Sequence, residues 1–516
     1  MNKIFLSFLI LFSVEKNSAQ VKDEPLKIKV AIDSLTNKQT VSPLLFGYST
    51  ENIFTEIQNT TDSSFVNAVK QMNPQVLRFP GGMLSNFYHS SENGYGLKKN
   101  EIAGLYLQLA QQLETQGVFA QQMKTNHPFV QDFLAMVKST GAKVLITANI
   151  LTGTPEELVD QINFFHDNNV EIAGVELGDE LYLNFYRTVF PYPGSYISKS
   201  ESFVSLVKKY FPETKIGACA APNARLSDLE GTSAAEFGYF KAWNDALSKS
   251  HFYDAIIIHS YTPVSILENQ PVDSIFRRAL SEAEKTFAKS GVMVQALDYY
   301  REVFPKSKIW ITEWNTALRS TKNYFLNTLF QAMYIGSYCN FINQFNSTQK
   351  NAVELMSFQS MATGGIYNHY GAIDLKSEKE KSVTGRIMKR TAWYAFKNLY
   401  PVYTGNWCYR KINLQPDSRL NLFAYTDTLS RELIISWVNS SGHELKIDSC
   451  LLDSLSLTNI KCTVTSLSGG LHQSFGWTRF SRNSYNTPPT EKSEEVFLKD
   501  YIFPEHGMGL IKMKLE

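Results

Sequence analysis

Ile172-Ala-Gly-Val-Glu-Leu-Gly-Asp-Glu180 is a short apolar run that stops on two acids, and Lys308-Ile-Trp-Ile-Thr-Glu313-Trp-Asn315 has the same shape. Each reads as a buried strand with a carboxylate at its C-terminal end. A charge is costly there unless it is paired or used in chemistry. Six further runs of this kind lie at Leu44–Thr50, Gln75–Phe79, Lys143–Asn149, Lys215–Ala220, Ala255–Ser260 and Ala352–Phe358. The near-continuous hydrophobicity of Ala255-Ile-Ile-Ile-His259 marks strands covered on both faces. Between the runs the apolar residues take a helical period, as at Phe129, Phe133, Leu134 and Val137, and again over Thr391–Tyr400. Strands alternating with helices predict an α/β fold with a parallel sheet. Eight such units between residues 44 and about 400 predict a closed (β/α)8, or TIM, barrel. A doubly wound open sheet is the alternative. It usually carries a glycine-rich phosphate loop after its first strand, and Gly47-Tyr-Ser-Thr-Glu51 is not one.

Past residue 400 the pattern changes to alternating strands, such as Leu422-Phe-Ala-Tyr425 and Glu432-Leu-Ile-Ile-Ser-Trp-Val438. Turn signals separate them: Asn439-Ser-Ser-Gly442, Ser468-Gly-Gly470 and Asn486-Thr-Pro-Pro489. This predicts an accessory β-sandwich over 401–516, with the early strand Leu26–Ile32, in the segment 20–40, joining it from the other end. The barrel then occupies 41–400. Residues 1–19 read as a signal peptide: Lys3, an apolar run from Ile4 to Val14, and the small pair Ser18-Ala19. An uncleaved anchor is the lesser alternative, because Glu15, Lys16 and Asn17 blur the cleavage site. Export predicts a secreted or periplasmic protein. No later stretch approaches transmembrane length.

The chain of 516 residues carries 50 basic and 49 acidic side chains, so its charge gives no reason to expect nucleic acid or an anionic membrane as partner. Five cysteines (Cys219, Cys339, Cys408, Cys450, Cys462) show no CxxC or Cys/His ligand spacing, which argues against a metal site, and no cofactor motif stands out. Cys450 and Cys462 can bridge; buried free thiols are the more ordinary outcome.

The barrel brings the ends of its fourth and seventh strands to one mouth, where Glu180 and Glu313 can face each other. Two carboxyl groups about 5–5.5 Å apart suit retaining glycoside hydrolysis, one as acid/base and one as nucleophile. A strand cap, or a pairing with Arg78, would explain either acid without chemistry. Long loops after strands two and four (Met83–Thr125 and Tyr182–Ser200) suit an active-site face. Asp179 adds a third negative charge that raises its neighbours' pKa values, or is itself protonated and donates to a sugar hydroxyl, or turns into the wall to pair with a cation. Arg78, in Leu77-Arg-Phe-Pro-Gly-Gly82, can orient a catalytic carboxylate and hold it ionised; a structural salt bridge inside the barrel is equally compatible. His259 and Tyr261 close strand six, where Tyr261 can donate to the nucleophile and His259 can bond a sugar or a carboxylate; a satisfied core histidine is the competing reading. Glu51 can accept from sugar hydroxyls or cap the following helix. Trp314 is a candidate sugar platform, or core filler in need of a partner for its N–H.

Together these motifs resemble the clan of (β/α)8 retaining glycoside hydrolases with catalytic glutamates on strands four and seven, over roughly residues 40–400. The nearest resemblance is to the α-L-arabinofuranosidases. Gly47 to Glu51 is similar to their Gly-x-x-x-Glu, and Arg78-Phe-Pro-Gly-Gly82 to their Arg-Trp-Pro-Gly-Gly. Gly178-Asp-Glu180 resembles Gly-Asn-Glu, while His259-Ser-Tyr261 and Glu313-Trp-Asn315 match His-x-Tyr and Glu-Trp-Asn. The heparanase-like glucuronidases share several of these. The resemblance implies a carbohydrate substrate, Glu180 as acid/base and Glu313 as nucleophile, with Glu51, Arg78, His259 and Tyr261 lining the first sugar subsite. Two positions depart from the pattern. The family's asparagine before the acid/base is Asp179 here, and the asparagine after the double glycine is Met83, with Asn86 three residues on as a candidate substitute. A non-catalytic glycan-binding protein on a degenerate barrel is the alternative that Asp179 motivates.

Overall fold

The computed structural model describes residues 24–32, 39–51, 62–223, 233–264, 271–318, 327–364, 371–375, 387–410, 412–414, 419–427, 429–452, 455–456, 460–475 and 488–514. Eight parallel strands close into a barrel: β1 (Gly47–Ser49), β2 (Val76–Phe79), β3 (Lys143–Ala148), β4 (Ile172–Leu177), β5 (Ile216–Cys219), β6 (Ala255–Val264), β7 (Lys308–Leu318) and β8 (Val353–Phe358). Each falls on one of the eight apolar runs. Closure of β1 onto β8, through Gly47 opposite Ser357 and Tyr48 opposite Phe358, excludes the open sheet.

Alternation along each strand decides what the barrel interior contains. Its lower part is apolar: Val76, Leu145, Ala173, Ala255, Ile257, Trp310 and Leu355 form one buried cluster. Trp310 fills this level. A side chain in place of Gly174 would meet its ring 2.4 Å away, so the glycine is what admits the indole. Two residues further along the strands the same inward positions carry Arg78, Thr147, Glu176 and Thr312, so a polar level lies directly above the apolar one.

A β-bulge then shapes the mouth. Between β6 and β7 the register runs Ile258 to Ile311 and then His259 to Glu313, skipping Thr312. The extra residue lets Thr312 and Glu313 both face inward, and Trp314 outward. Trp314 is therefore not a sugar platform. Its ring is 2% exposed, stacked on Tyr338 at 4.3 Å and set edge-on to Phe358 at 5.1 Å, in the layer between strands and helices.

The surrounding helices start where their sequences allow. Pro155–Asp167 opens with a capping box, Thr154 and Glu157 each satisfying the other's backbone N–H. Leu329–Thr348, between β7 and β8, is buried nearly all round because it is covered on both sides, by the barrel and by a β-sheet.

That sheet is half of a β-sandwich. Six strands run in the order 408–410, 420–427, 432–439, 507–514, 461–468, 490–497. One face meets the helix, with Asn343 donating to the Tyr425 hydroxyl at 2.8 Å. The other face packs Leu422, Ile435, Trp437 and Ile511 against Ile28, Leu445, Ile447 and Phe503 of a five-stranded sheet. In that second sheet Leu26–Ile32 pairs in parallel with Leu445–Leu452 and antiparallel with Ile412–Leu414. The expected signal peptide lies outside the described residues. Among the described residues no helix is long and apolar enough to cross a membrane. Cys219, Cys339, Cys408 and Cys462 are free thiols, so the bridge from Cys450 to Cys462 does not form. The Cys462 thiol instead donates to the Val496 carbonyl at 3.2 Å.

Candidate active site

Arg78 is the hub of the mouth. Its side chain is fully buried, and its guanidinium donates four hydrogen bonds to three carboxylates. Nε reaches Glu176 Oε2 at 2.7 Å and Nη2 reaches Glu176 Oε1 at 2.9 Å, a planar two-point pairing. Nη2 also donates to Asp179 Oδ1 at 2.6 Å, and Nη1 to Glu313 Oε1 at 2.7 Å. Thr147 and Thr312 each donate a hydroxyl to Glu176 at 3.1 Å, so this fully buried carboxylate is saturated. Glu176 and the two threonines are absent from the sequence-derived set. Glu176, Asp179 and His259 offer ligand atoms within 4.8 Å of one another, but the guanidinium already bonds two of the three and stands where a cation would.

Glu313 is tied from both sides, with Arg78 on Oε1 and the Tyr261 hydroxyl donating to Oε2 at 2.6 Å. Burial alone would favour its neutral form. His259, Arg78 and the Tyr261 hydrogen bond outweigh this and hold the carboxyl below its usual range. Burial and the charge of Glu313 push the Tyr261 phenol well up, so it remains a donor. Glu180 stands on a turn in which Gly178 (φ 82°) and Glu180 itself (φ 47°) are left-handed. For a non-glycine residue that backbone costs on the order of 1 kcal/mol or more, and it aims the side chain into the mouth. Glu180 is more open than Glu313, 29% exposed against 9%. Tyr182 donates to Glu180 Oε1 at 3.3 Å.

His259 links the two ends. Its Nδ1 lies 2.8 Å from Glu180 Oε1 and 3.6 Å from Glu313 Oε2, and its Nε2 lies 3.8 Å from Asp179 Oδ1. Burial disfavours the imidazolium, yet Glu313, Glu180 and Asp179 together push its pKa up to about 10. It is a cation at neutral pH, not a neutral core histidine. The oxygens of Glu180 and Glu313 that flank Nδ1 can be no farther apart than those two distances laid end to end.

Asn86 is fully buried and turned to the backbone. Its Oδ1 accepts from the Asp179 N–H at 2.9 Å. Its Nδ2 donates to the Asp179 carbonyl at 2.8 Å and to the Tyr186 hydroxyl at 2.8 Å. It clamps the loop after β4 rather than opening onto the mouth. Glu51 accepts from the Gln359 side-chain amide, a partner the sequence did not suggest. Burial, then the charges of Glu313 and Asp179, raise the Glu51 carboxyl well above its usual range. Gly82 (φ 64°) is what lets Glu51 lie there, since a Cβ on it would stand 1.9 Å from Glu51 Cδ. Gly82→Ala should therefore lower stability by about 1–3 kcal/mol, read from the urea midpoint. Wild-type stability in that variant would mean that Glu51 is not held against this glycine.

No family model matches the chain, and no curated protein does either. Its fold, however, is shared with solved structures along nearly its whole length. The GH51 α-L-arabinofuranosidase of Thermotoga petrophila superposes with a TM-score of 0.64 at 16% identity, over 95% of this chain and 100% of that one. The GH51 arabinofuranosidase of Xanthomonas axonopodis pv. citri gives 0.66 at 15% identity, with 95% and 100% covered. A Paenibacillus polymyxa xyloglucanase of glycoside hydrolase family 44 gives 0.57 at 11% identity, with 95% and 100% covered. The resemblance read from the motifs thus extends to the architecture, barrel and flanking sheets together.

Proposed function

We propose that the protein is a retaining glycoside hydrolase acting on O-glycosidic bonds of oligo- or polysaccharides, of the α-L-arabinofuranosidase type. The observation that carries this reading is the placement of Glu180 and Glu313 on either side of one His259 nitrogen, at 2.8 and 3.6 Å. Two carboxyl oxygens this close to one nitrogen are compatible with the roughly 5–5.5 Å separation of a retaining pair.

Glu313, ionised between Arg78 and Tyr261, attacks the anomeric carbon. Glu180, open to the mouth, protonates the departing oxygen and then takes a proton from the water that hydrolyses the glycosyl-enzyme. Arg78 and Tyr261 hold the nucleophile in line, and Glu51, Asp179 and His259 line the first sugar subsite. The likeness in fold to arabinofuranosidases supports the furanoside preference. The leader-like residues 1–19 support action in the periplasm or outside the cell.

The test is a panel of nitrophenyl glycosides, including α-L-arabinofuranoside, β-D-xyloside, β-D-glucoside and β-D-glucuronide, with NMR on the first sugar released. A first product with the substrate's own anomeric configuration is expected. An inverted product overturns the two-step mechanism. Saturable oligosaccharide binding without turnover would favour a glycan-binding protein, the reading that the tight Arg78–Asp179 pairing motivates.

A further inference from the structure

The outer surface of the barrel carries a second polar cleft, and none of its residues belongs to the mouth. On the helix Val272–Phe287, which follows β6 in the chain, Arg277, Ser281 and Glu284 share one face. Arg419, Ser440 and His506 stand opposite, from the sandwich. Helix and sandwich together frame a cleft of about 380 Å³, open to solvent. Sites for small ligands run from roughly 300 to 1,000 Å³.

The cations of this cleft are unpaired. Arg278 turns to Glu282 at 3.0 Å, but Arg277 beside it forms no ion pair among the described residues, and neither does Arg419. Arg419 is also held in left-handed backbone (φ 44°), its carbonyl accepting from the Ser440 N–H at 3.1 Å. For a non-glycine residue that conformation costs on the order of 1 kcal/mol or more. Two guanidiniums from two domains thus look onto one space with no acid between them.

Glu284 is the only acid lining the cleft among the described residues. The Ser440 hydroxyl has one proton and two acceptors, Glu284 Oε1 and the Arg419 carbonyl at 3.0 Å. A protonated Glu284 satisfies all three, donating to Ser440 while Ser440 donates to the carbonyl. Burial raises the Glu284 carboxyl to about 7, and Arg419 only partly opposes this. The charged groups around it are Arg277 from its own helix, Arg419 ahead of the strand 420–427, and His506 from the turn before the last strand, itself 3.9 Å from Glu505.

We propose that this cleft is a second, non-catalytic sugar site, in which Arg277 and Arg419 take the carboxylate of a uronic acid unit while Glu284 and Ser281 meet its hydroxyls. The anion follows from the two unpaired guanidiniums and their planar donor geometry. That a sugar bears it rests on the hydrolase reading. Once ionised, Glu284 competes with the ligand for Arg419, so binding weakens as the pH rises through neutrality.

Calorimetric titration of the full chain with trigalacturonate, neutral xylotriose and inorganic sulfate tests this. Saturable binding of trigalacturonate at pH 6 is expected. Arg277→Ala/Arg419→Ala should weaken it by at least about tenfold. Both arginines are exposed, so the ligand-free melting temperature and kcat/KM on the nitrophenyl panel should stay at their wild-type values. Wild-type affinity should be about tenfold lower at pH 8 than at pH 6, the effect of one proton lost near pH 7, and Glu284→Gln should remove that difference.

No saturable trigalacturonate binding, equal affinity for xylotriose, or wild-type affinity in the double variant overturns the proposal. Sulfate binding as tightly as trigalacturonate, through the same two arginines, overturns the sugar assignment. A pH dependence that survives in Glu284→Gln removes Glu284 from the site. A protein that cleaves nothing on the panel sinks the hydrolase reading alone, since the titrations read the cleft without turnover.

Discussion

Glu313→Ala lowers kcat by on the order of 10⁴-fold or more on every substrate the wild type cleaves. No other carboxylate can take its place. Its oxygens are the ones held by Arg78 at 2.7 Å and Tyr261 at 2.6 Å, and the bulge in β7 is what brings them into the mouth. Removing Glu180 should look different. Its job is to supply a proton, so Glu180→Ala loses least with the most acidic leaving groups and most with a sugar alcohol. Added azide should recover part of the Glu180→Ala rate by attacking the glycosyl-enzyme, giving a glycosyl azide of retained configuration. With Glu313→Ala, azide should give the inverted product, since it then attacks the substrate itself. A substrate cleaved equally well by wild type and both variants would show that the roles are misassigned.

Arg78→Met destabilises the protein by about 3–5 kcal/mol, the usual effect of leaving buried charge without its partner. Glu176 has no solvent to turn to, and Thr147 and Thr312 together cannot replace two guanidinium bonds. The methionine fills a similar volume, so lost packing is a minor part of the effect. Urea unfolding measures it, and Glu176→Gln in the Arg78→Met background should recover part of the loss. Arg78→Lys keeps the charge but cannot span three carboxylates, and should remain well below wild type in both stability and activity. If Arg78→Met unfolds at the wild-type urea concentration, the cluster is held by something other than this cation.

The barrel was legible because its strands are covered on both faces, so each one interrupts the chain as an apolar run. The sandwich showed itself through the opposite habit, alternation with polar turns. The acids at strand ends stood out for the same reason, as charges where the pattern predicts none. Glu176 breaks the same rule more plainly, in the middle of Val175-Glu-Leu177. A charge within a doubly covered strand demands a partner at the same level, and Arg78 was available. Alternation alone misplaces Trp314, since Trp310 and Thr312 face inward and only the bulge turns Glu313 in and Trp314 out. The roles of Gln359 and Asn86 were not readable. An amide that bonds backbone, or an acid from a distant strand, leaves no periodic trace. The bulge at Thr312 was hidden because it exists only relative to the neighbouring strand.

Leu26–Ile32 completes its sheet only by lying beside Leu445–Leu452, nearly a whole chain away. A polypeptide made from its N-terminus holds this segment before its neighbour exists. The segment must stay unpaired while the entire barrel is synthesised, and it settles only when the last strands arrive. The sandwich is thus a seam sewn from both ends, and its closure is a slow, late event in folding. Until then its edge is open to the wrong partner, so yield at high expression should depend on this junction more than on the barrel.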